Sequence, residues 1–119
     1  MKPTKTDQAF WDQKESFIQE LTELIEVFKL QLEEDKMSTG AISGHYRVAT
    51  LFVKHIKDFT DHLSFEEITV SNANKKFLLH VKWEGLTDWD PKEIKLKLKR
   101  FVQFLATNGH VNENILESL

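Results

Sequence analysis

The segment from Asp90 to Gly109 constrains the fold most, because it carries the start, the period and the end of one amphipathic helix. Asp90 predicts an N-cap, and Pro91 suits the first helical position, where its missing N–H costs no hydrogen bond. Asn108 and Gly109 predict the end, since both tolerate the left-handed backbone that closes many helices. One face is apolar at helical spacing, through Ile94, Leu98, Phe101, Val102 and Leu105. This face requires a partner to pack on.

The opposite face of the same helix is basic. Between Lys92 and Arg100 five bases stand against the single acid Glu93, a net charge of +4. The first 35 residues have the opposite balance, with four lysines against nine acids, a net charge of −5. The whole chain carries −3, which argues against polyanion binding over its entire surface. Any nucleic-acid contact is therefore expected to be local and to lie away from the N-terminal helix.

The segment from about Gln8 to Asp35 contains no Gly or Pro and predicts one long amphipathic helix, or two nearly continuous ones. Its outer face is rich in Glu. Its stripe is too short to establish a coiled coil. The predicted buried stripe comprises Phe10, Phe17, Leu21, Leu24, Ile25, Phe28 and Leu32.

A second helix is predicted from about Ala41 to Asp61, after the break MSTGAISG. Ser38 or Thr39 is its expected cap. Gly44 near its start either lowers helix stability slightly, by roughly 1 kcal/mol against Ala, or allows the close approach of a neighbouring helix or a phosphate. Its predicted buried side comprises Ile42, Ala49, Phe52, Val53, Ile56 and Phe59.

Shorter elements follow. The pattern Ser64-Phe65-Glu66-Glu67 is typical of a capping box and predicts one helical turn. A third helix is predicted over Ala73–Trp83, with Ser71 as cap, Gly85 as its end and Trp89 in the core. LHVKW also alternates like a strand, but helix is preferred because the sequence offers no partner strand. The expected inner residues are Phe77, Leu78, Val81 and Trp83 in this helix, and Val111, Ile115 and Leu116 in the polar tail.

These elements predict an all-α fold, a four- or five-helix orthogonal bundle that forms a single domain over residues 1–119. No apolar run approaches the ~18 residues that span a bilayer. The first ten residues lack the hydrophobic centre of a signal peptide. With no cysteine, neither a disulfide nor a thiolate site is expected. We expect a cytoplasmic protein with no membrane partner.

The sequence offers little for catalysis. Five histidines are present, but only His55, Asp58 and His62 approach one helical face, without an HExxH motif or a fourth ligand. Histidine at a helix surface or cap is the simpler interpretation, so no metal is predicted. No Gly-rich phosphate loop or nucleophile elbow occurs. We therefore expect no enzyme activity from this chain alone and no cofactor.

The basic helix has two interpretations. On charge alone a solvated lysine face is the simpler one. The second helix favours the other interpretation, since Arg47, Lys54 and Lys57, with His45 and His55, outnumber the single acid Asp58. Two helices with basic sides can straddle a duplex and contact its phosphates.

Two stretches, MSTGAISGHYRVATLFVKHI and LKRFVQFLATNGHVNEN, resemble the core-binding domain (SAM-like, N-terminal) of tyrosine recombinases of the phage-integrase type. SFEEIT is similar to the link before that family's third helix. The likeness spans residues 30–114 or so, in register. It implies a SAM-like bundle whose second and last helices face duplex DNA. The matched positions are Ile42, His45, Ala49, Phe52, Ile56, Leu98, Arg100, Phe101, Phe104, Leu105, Gly109, Val111 and Asn114.

The chain also departs from the family. His45 stands where Tyr is usual, and Ile115 replaces a usual Pro. The chain stops where the family's catalytic domain begins, and it contains one Tyr and no His-x-x-Arg. We therefore expect non-catalytic DNA binding, by a recombinase fragment or a free-standing relative. The residues expected to contact DNA are Arg47, Lys54, Lys92, Lys95, Lys99 and Arg100.

The alternative is a protein-interaction or self-association module that does not bind DNA. Its expected surface lies on the acidic N-terminal helix, at Phe10, Trp11 and Phe17 if these aromatic residues are exposed. Large exposed apolar patches usually mark contacts with another protein.

Overall fold

The computed structural model of the protein describes residues 4–69, 76–83 and 90–118, and within these ranges the secondary structure is entirely helical. The four α-helices are α1 (Gln8–Glu34), α2 (Thr39–Phe59), α3 (Phe77–Trp83) and α4 (Pro91–Thr107). Two short 3-10 helices span Phe65–Glu67 and Glu113–Ser118. The predicted all-α class is confirmed, as is helix rather than strand for LHVKW.

The core joins all four α-helices. Helix α2 packs against both α1 and α4, and α3 contacts both α2 and α4. Four fully buried phenylalanines, one from each helix, form a continuous row: Phe28, Phe101, Phe52 and Phe77. Successive ring centroids in this row are 5.2, 6.5 and 5.4 Å apart, with the edge-to-face tilt that aromatic pairs prefer. Burial of these rings and of the flanking aliphatic stripes stabilises the bundle.

The caps form largely as the sequence predicts. The Ser38 hydroxyl accepts a hydrogen bond from the Ala41 N–H at 3.2 Å, and α2 begins at Thr39, two residues before the predicted start. The Asp90 carboxylate accepts from the Lys92 N–H at 3.0 Å. At the end of α4, Gly109 has a φ of +78°, the left-handed conformation that glycine adopts without strain.

The long helix α1 buries its predicted stripe, with Leu24 half-buried at its edge. Phe10 and Phe17 are buried, so the condition under which these two aromatic residues would form an interaction surface is not met. Their spacing places them on the stripe that faces α2. Trp11 is half-exposed, and its indole N–H donates to the Lys5 carbonyl at 2.8 Å.

A buried lysine of α1 closes the C-terminal end of α2. Lys14 is only 4% exposed. Its Nζ donates to the backbone carbonyls of Ile56, Thr60 and His62 at 2.8, 2.8 and 2.9 Å. A helix leaves its last carbonyls unpaired and carries partial negative charge at that end, so an ammonium with three N–H donors stabilises it. This contact fixes α1 against the end of α2.

Three expectations about residues at helix ends are wrong. Phe59, the last residue of α2, is 52% exposed, and Trp83, the last of α3, is 84% exposed. Both stand at helix ends, where the packed face runs out. The turn at Phe65–Glu67 forms, but Ser64 makes no side-chain cap, and the Glu67 carboxylate accepts from the Leu63 N–H instead. The predictions for Ser71, Ala73, Gly85 and Trp89 lie outside the described residues.

The tail docks as predicted. Ile115 is buried, and Val111 and Leu116 pack half-buried against the core. The tail also forms the 3-10 helix Glu113–Ser118, which packs on α4. In the part of the chain that the structure describes, no helix is long and apolar enough to cross a membrane.

Candidate nucleic-acid interface

The six residues predicted to contact DNA occupy the outer sides of two neighbouring helices. Arg47 and Lys54 are exposed on α2 and lie seven residues apart, so they share one side of that helix. Lys92 and Lys99 have the same separation on α4 and are also exposed. Because α2 and α4 pack side by side, the structure brings these two cationic strips onto adjoining helices.

The other two predicted residues of α4 lie to the sides of its strip. Lys95 is half-buried and stands one turn from both Lys92 and Lys99. Arg100 is turned towards the end of α1, where a nitrogen of its guanidinium lies 3.4 Å from an Asp35 carboxylate oxygen. Its charge is therefore partly matched inside the protein. Within the described ranges, Lys92, Lys95 and Lys99 form no ion pair.

A side chain of α4 approaches α2 closely at Gly44. A Cβ added there would lie 2.8 Å from Cε of Lys97, so the lysine stem crosses α2 where a side chain is missing. Of the two interpretations of Gly44, the structure therefore shows the approach of a neighbouring helix. Lys97 is largely buried and its Nζ lies 3.8 Å from Oε2 of Glu93. Lys97 is not among the residues predicted to contact DNA, although Gly44 was a signal in the sequence for a close contact on α2.

A pocket of about 450 Å³ opens between the first turns of α2 and α4. Its charged lining is mixed, with Arg47 and Lys97 on one hand and Asp90 and Glu93 on the other. Asp90 is held by its role as N-cap. The pocket between the helices is therefore close to balanced in charge, and Lys92 and Lys99 of α4 lie outside its lining.

The histidines do not add to this positive charge, contrary to the sequence interpretation. His45 lies under the α2–α4 face, its ring edge-to-face with Phe28 at 6.4 Å. Its Nδ1 is buried and has no hydrogen-bond partner among the described residues. Burial lowers the pKa of His45 below the ordinary 6.5, and the positive charges of Arg100 and Lys97 lower it further. His45 is therefore neutral at pH 7.

His55 is a core residue rather than a surface or capping histidine. It is buried on α2 and pairs with the buried His80 of α3, with 3.2 Å between their Nδ1 atoms. Burial lowers the pKa of His55 to about 4, with smaller electrostatic contributions from His80, His62 and Lys76. Among the described residues no group of three or more His, Cys, Asp or Glu side chains is placed to hold a metal ion.

The Nε2 atom of His55 is buried without a hydrogen-bond partner among the described residues. A buried nitrogen lone pair without a hydrogen bond costs less free energy than a buried N–H group without an acceptor. A neutral imidazole ring carries a single N–H proton, so only one of its two nitrogens can donate. The geometry therefore favours the tautomer in which the Nδ1–H of His55 donates to Nδ1 of His80. This pair connects α3 to α2.

No family model, curated protein or solved structure matches this chain. The functional assignment therefore depends on the residues and their geometry.

Proposed function

We propose that this chain is a non-catalytic DNA-binding domain whose contacts lie on the outer sides of α2 and α4. The observation that carries the proposal is the placement of four exposed cations, Arg47, Lys54, Lys92 and Lys99, on two adjoining helices. The acidic outer face of α1 belongs to a different helix of the bundle. A duplex held at α2 and α4 therefore avoids most of the acidic side chains.

The proposal includes the finer fold expectation, a SAM-like bundle similar to the core-binding domain of tyrosine recombinases. Its support is the in-register likeness over α2 and α4, together with the helix order. His45 occupies the position where that family usually has Tyr, and as a neutral, partly buried ring it serves the packing of α1 against α2. The matched positions Phe52, Phe101 and Leu105 are buried, as a shared core requires.

The chemistry of these side chains indicates contact with phosphates rather than bases. Lysine is a flexible point charge that suits a phosphate oxygen, whereas base recognition depends largely on the planar donors and acceptors of Arg, Asn and Gln. With about four phosphates neutralised, the logarithm of the association constant should fall with the logarithm of salt concentration with a slope of about −4. Binding should therefore be strong only at low salt and nearly independent of sequence.

The test is fluorescence anisotropy on mixed-sequence duplexes over a salt series. Lys92→Glu and Lys99→Glu should each weaken binding about tenfold and reduce the salt slope by about 1. Lys29→Glu is the matched control, because it changes the net charge of the protein equally but lies on α1. Nζ of Lys29 lies 5.5 Å from the centroid of the Tyr46 ring. Absence of binding at low salt, or equal losses for Lys99→Glu and Lys29→Glu, would overturn the proposal.

A further inference from the structure

Helix α1 exposes two aliphatic side chains in the middle of its acidic outer face. Val27 and Leu30 are 50% and 59% exposed. They continue a series of exposed positions separated alternately by three and four residues, the repeat with which helices pack side by side. We name this series the acidic stripe; it comprises Glu20, Glu23, Val27, Leu30 and Glu34.

Helix α4 carries a series with the same repeat and the opposite charge. Leu96 is 67% exposed at its centre. Lys92 and Lys99 stand about one turn before and after it. We name this series the basic stripe; it comprises Lys92, Leu96, Lys99 and Gln103, all of them exposed.

The two stripes cannot meet within one molecule. Each lies on the side of its helix away from the core, since α1 buries Phe28 and Leu32, and α4 buries Leu98 and Phe101. Each stripe has an aliphatic centre with charged residues on both sides. These charges are negative on α1 and positive on α4, so the two stripes are complementary. Val27 and Leu30 are three residues apart, so their side chains are neighbours on the surface of α1.

We propose that the acidic stripe of one copy binds the basic stripe of a second copy. Leu96 of one molecule packs between Val27 and Leu30 of the other. The ammonium groups of Lys92 and Lys99 then reach carboxylates about one turn beyond that pair, at Glu23 and Glu34. The occupant is a second copy because the matching charge pattern, −5 over the first 35 residues against +4 over Lys92–Arg100, is present on the same chain.

This contact joins two different surfaces, so each molecule of a pair retains one unused stripe, basic on the first molecule and acidic on the second. Copies therefore add head to tail, into a chain or a closed ring. One helix pair buries a small area, which places the contact among weak interfaces, with a dissociation constant of about 100 µM. Its ionic part should make it sensitive to salt. The inference does not rest on DNA binding, although Lys92 and Lys99 serve both.

The experiment is sedimentation velocity of the full chain up to about 1 mM protein, at about 50 mM and about 500 mM salt. The wild type should show a mass that rises with concentration at low salt, with the dissociation constant at least tenfold higher at high salt. Two double variants, Glu23→Lys/Glu34→Lys and Lys92→Glu/Lys99→Glu, should each stay monomeric. An equimolar mixture of the two should associate again, because each reversed stripe then meets its complement.

The matched control is Glu15→Lys/Glu33→Lys, which makes the same charge change on exposed positions of α1 outside the acidic stripe. It should associate like the wild type, and circular dichroism should show every variant folded. A strict monomer at low salt, equal loss in the control, or a mixture that stays monomeric would overturn the inference. The Glu23→Lys/Glu34→Lys variant keeps the basic stripe intact, so its DNA affinity reports separately on the proposed function.

Discussion

The lysines of α1 and α4 show two opposite uses of the same side chain. Lys14 is buried, and three backbone carbonyls at the end of α2 accept its hydrogen bonds. Lys92 and Lys99 are exposed and form no ion pair within the described part of the chain. An ammonium that is satisfied inside the protein stabilises the fold, whereas one left to solvent remains available to a partner. The difference separates a lysine that serves the fold from lysines that remain exposed to solvent.

Replacing Lys14 should produce the largest effect on stability. Lys14→Met keeps most of the apolar stem but removes the ammonium that donates to the carbonyls of Ile56, Thr60 and His62. The Ile56 carbonyl keeps the Thr60 hydroxyl as a donor. We expect the free energy of unfolding to fall by about 3 kcal/mol, as for the loss of a buried charged group with several hydrogen bonds. Urea unfolding followed by circular dichroism measures it.

The control for this prediction is Lys29→Met, also on α1, where only a contact with the Tyr46 ring is lost. That change should cost less than about 1 kcal/mol. Equal stability of the Lys14→Met variant and the wild type would show that the buried ammonium contributes nothing to the fold.

Acid should destabilise the protein through His55. Its pKa is about 4 in the folded chain, against 6.5 ordinarily, so the unfolded chain binds more protons between these values. Stability should therefore fall as the pH is lowered from about 6.5 to about 4, and then level off for this group. The full effect is on the order of 3 kcal/mol.

Unfolding free energies measured between pH 6.5 and pH 5 test this, since carboxylates contribute least there. His55→Gln retains a donor for His80 but does not titrate, so it should lose most of the slope. If the variant and the wild type have the same slope, His55 is not the responsible group.

The ion pair between Arg100 and Asp35 should have the smallest effect. Both side chains are largely solvated, so Asp35→Asn should change stability by less than about 0.5 kcal/mol. The same change releases Arg100 and should tighten DNA binding about twofold, because one more cation faces the duplex. Glu33→Gln, which makes the same charge change on α1, should tighten it less; equal gains would show that Arg100 does not take part.

The elements defined by local chemistry were predictable from sequence. The caps at Ser38 and Asp90 and the helix end at Gly109 involve neighbours within a few residues. The buried apolar faces of α1 and α4 follow from the helical period. Phe59 and Trp83 fit the same period but are exposed, because a helical pattern does not show where the neighbouring helix ends.

Contacts made across the fold were not predictable. The Lys14 ammonium reaches the carbonyl of Ile56, 42 residues along the chain, and His55 meets His80 only after α3 docks. The sequence contained one indication that Lys14 is buried, because this residue lies on the apolar stripe between Phe10 and Phe17. For the candidate site, the exposed lysines were predictable from the amphipathic pattern. The pairing of Arg100 with Asp35 and the insertion of Lys97 over Gly44 were not.

The most direct test of the central claim is a two-dimensional amide NMR titration of the protein with a short mixed-sequence duplex at low salt. We predict that the largest shifts occur at Arg47 and Lys54 on α2 and at Lys92 and Lys99 on α4. Residues of the acidic stripe on α1 should remain unchanged at protein concentrations below self-association. Shifts centred on α1, or none at all, would contradict the account.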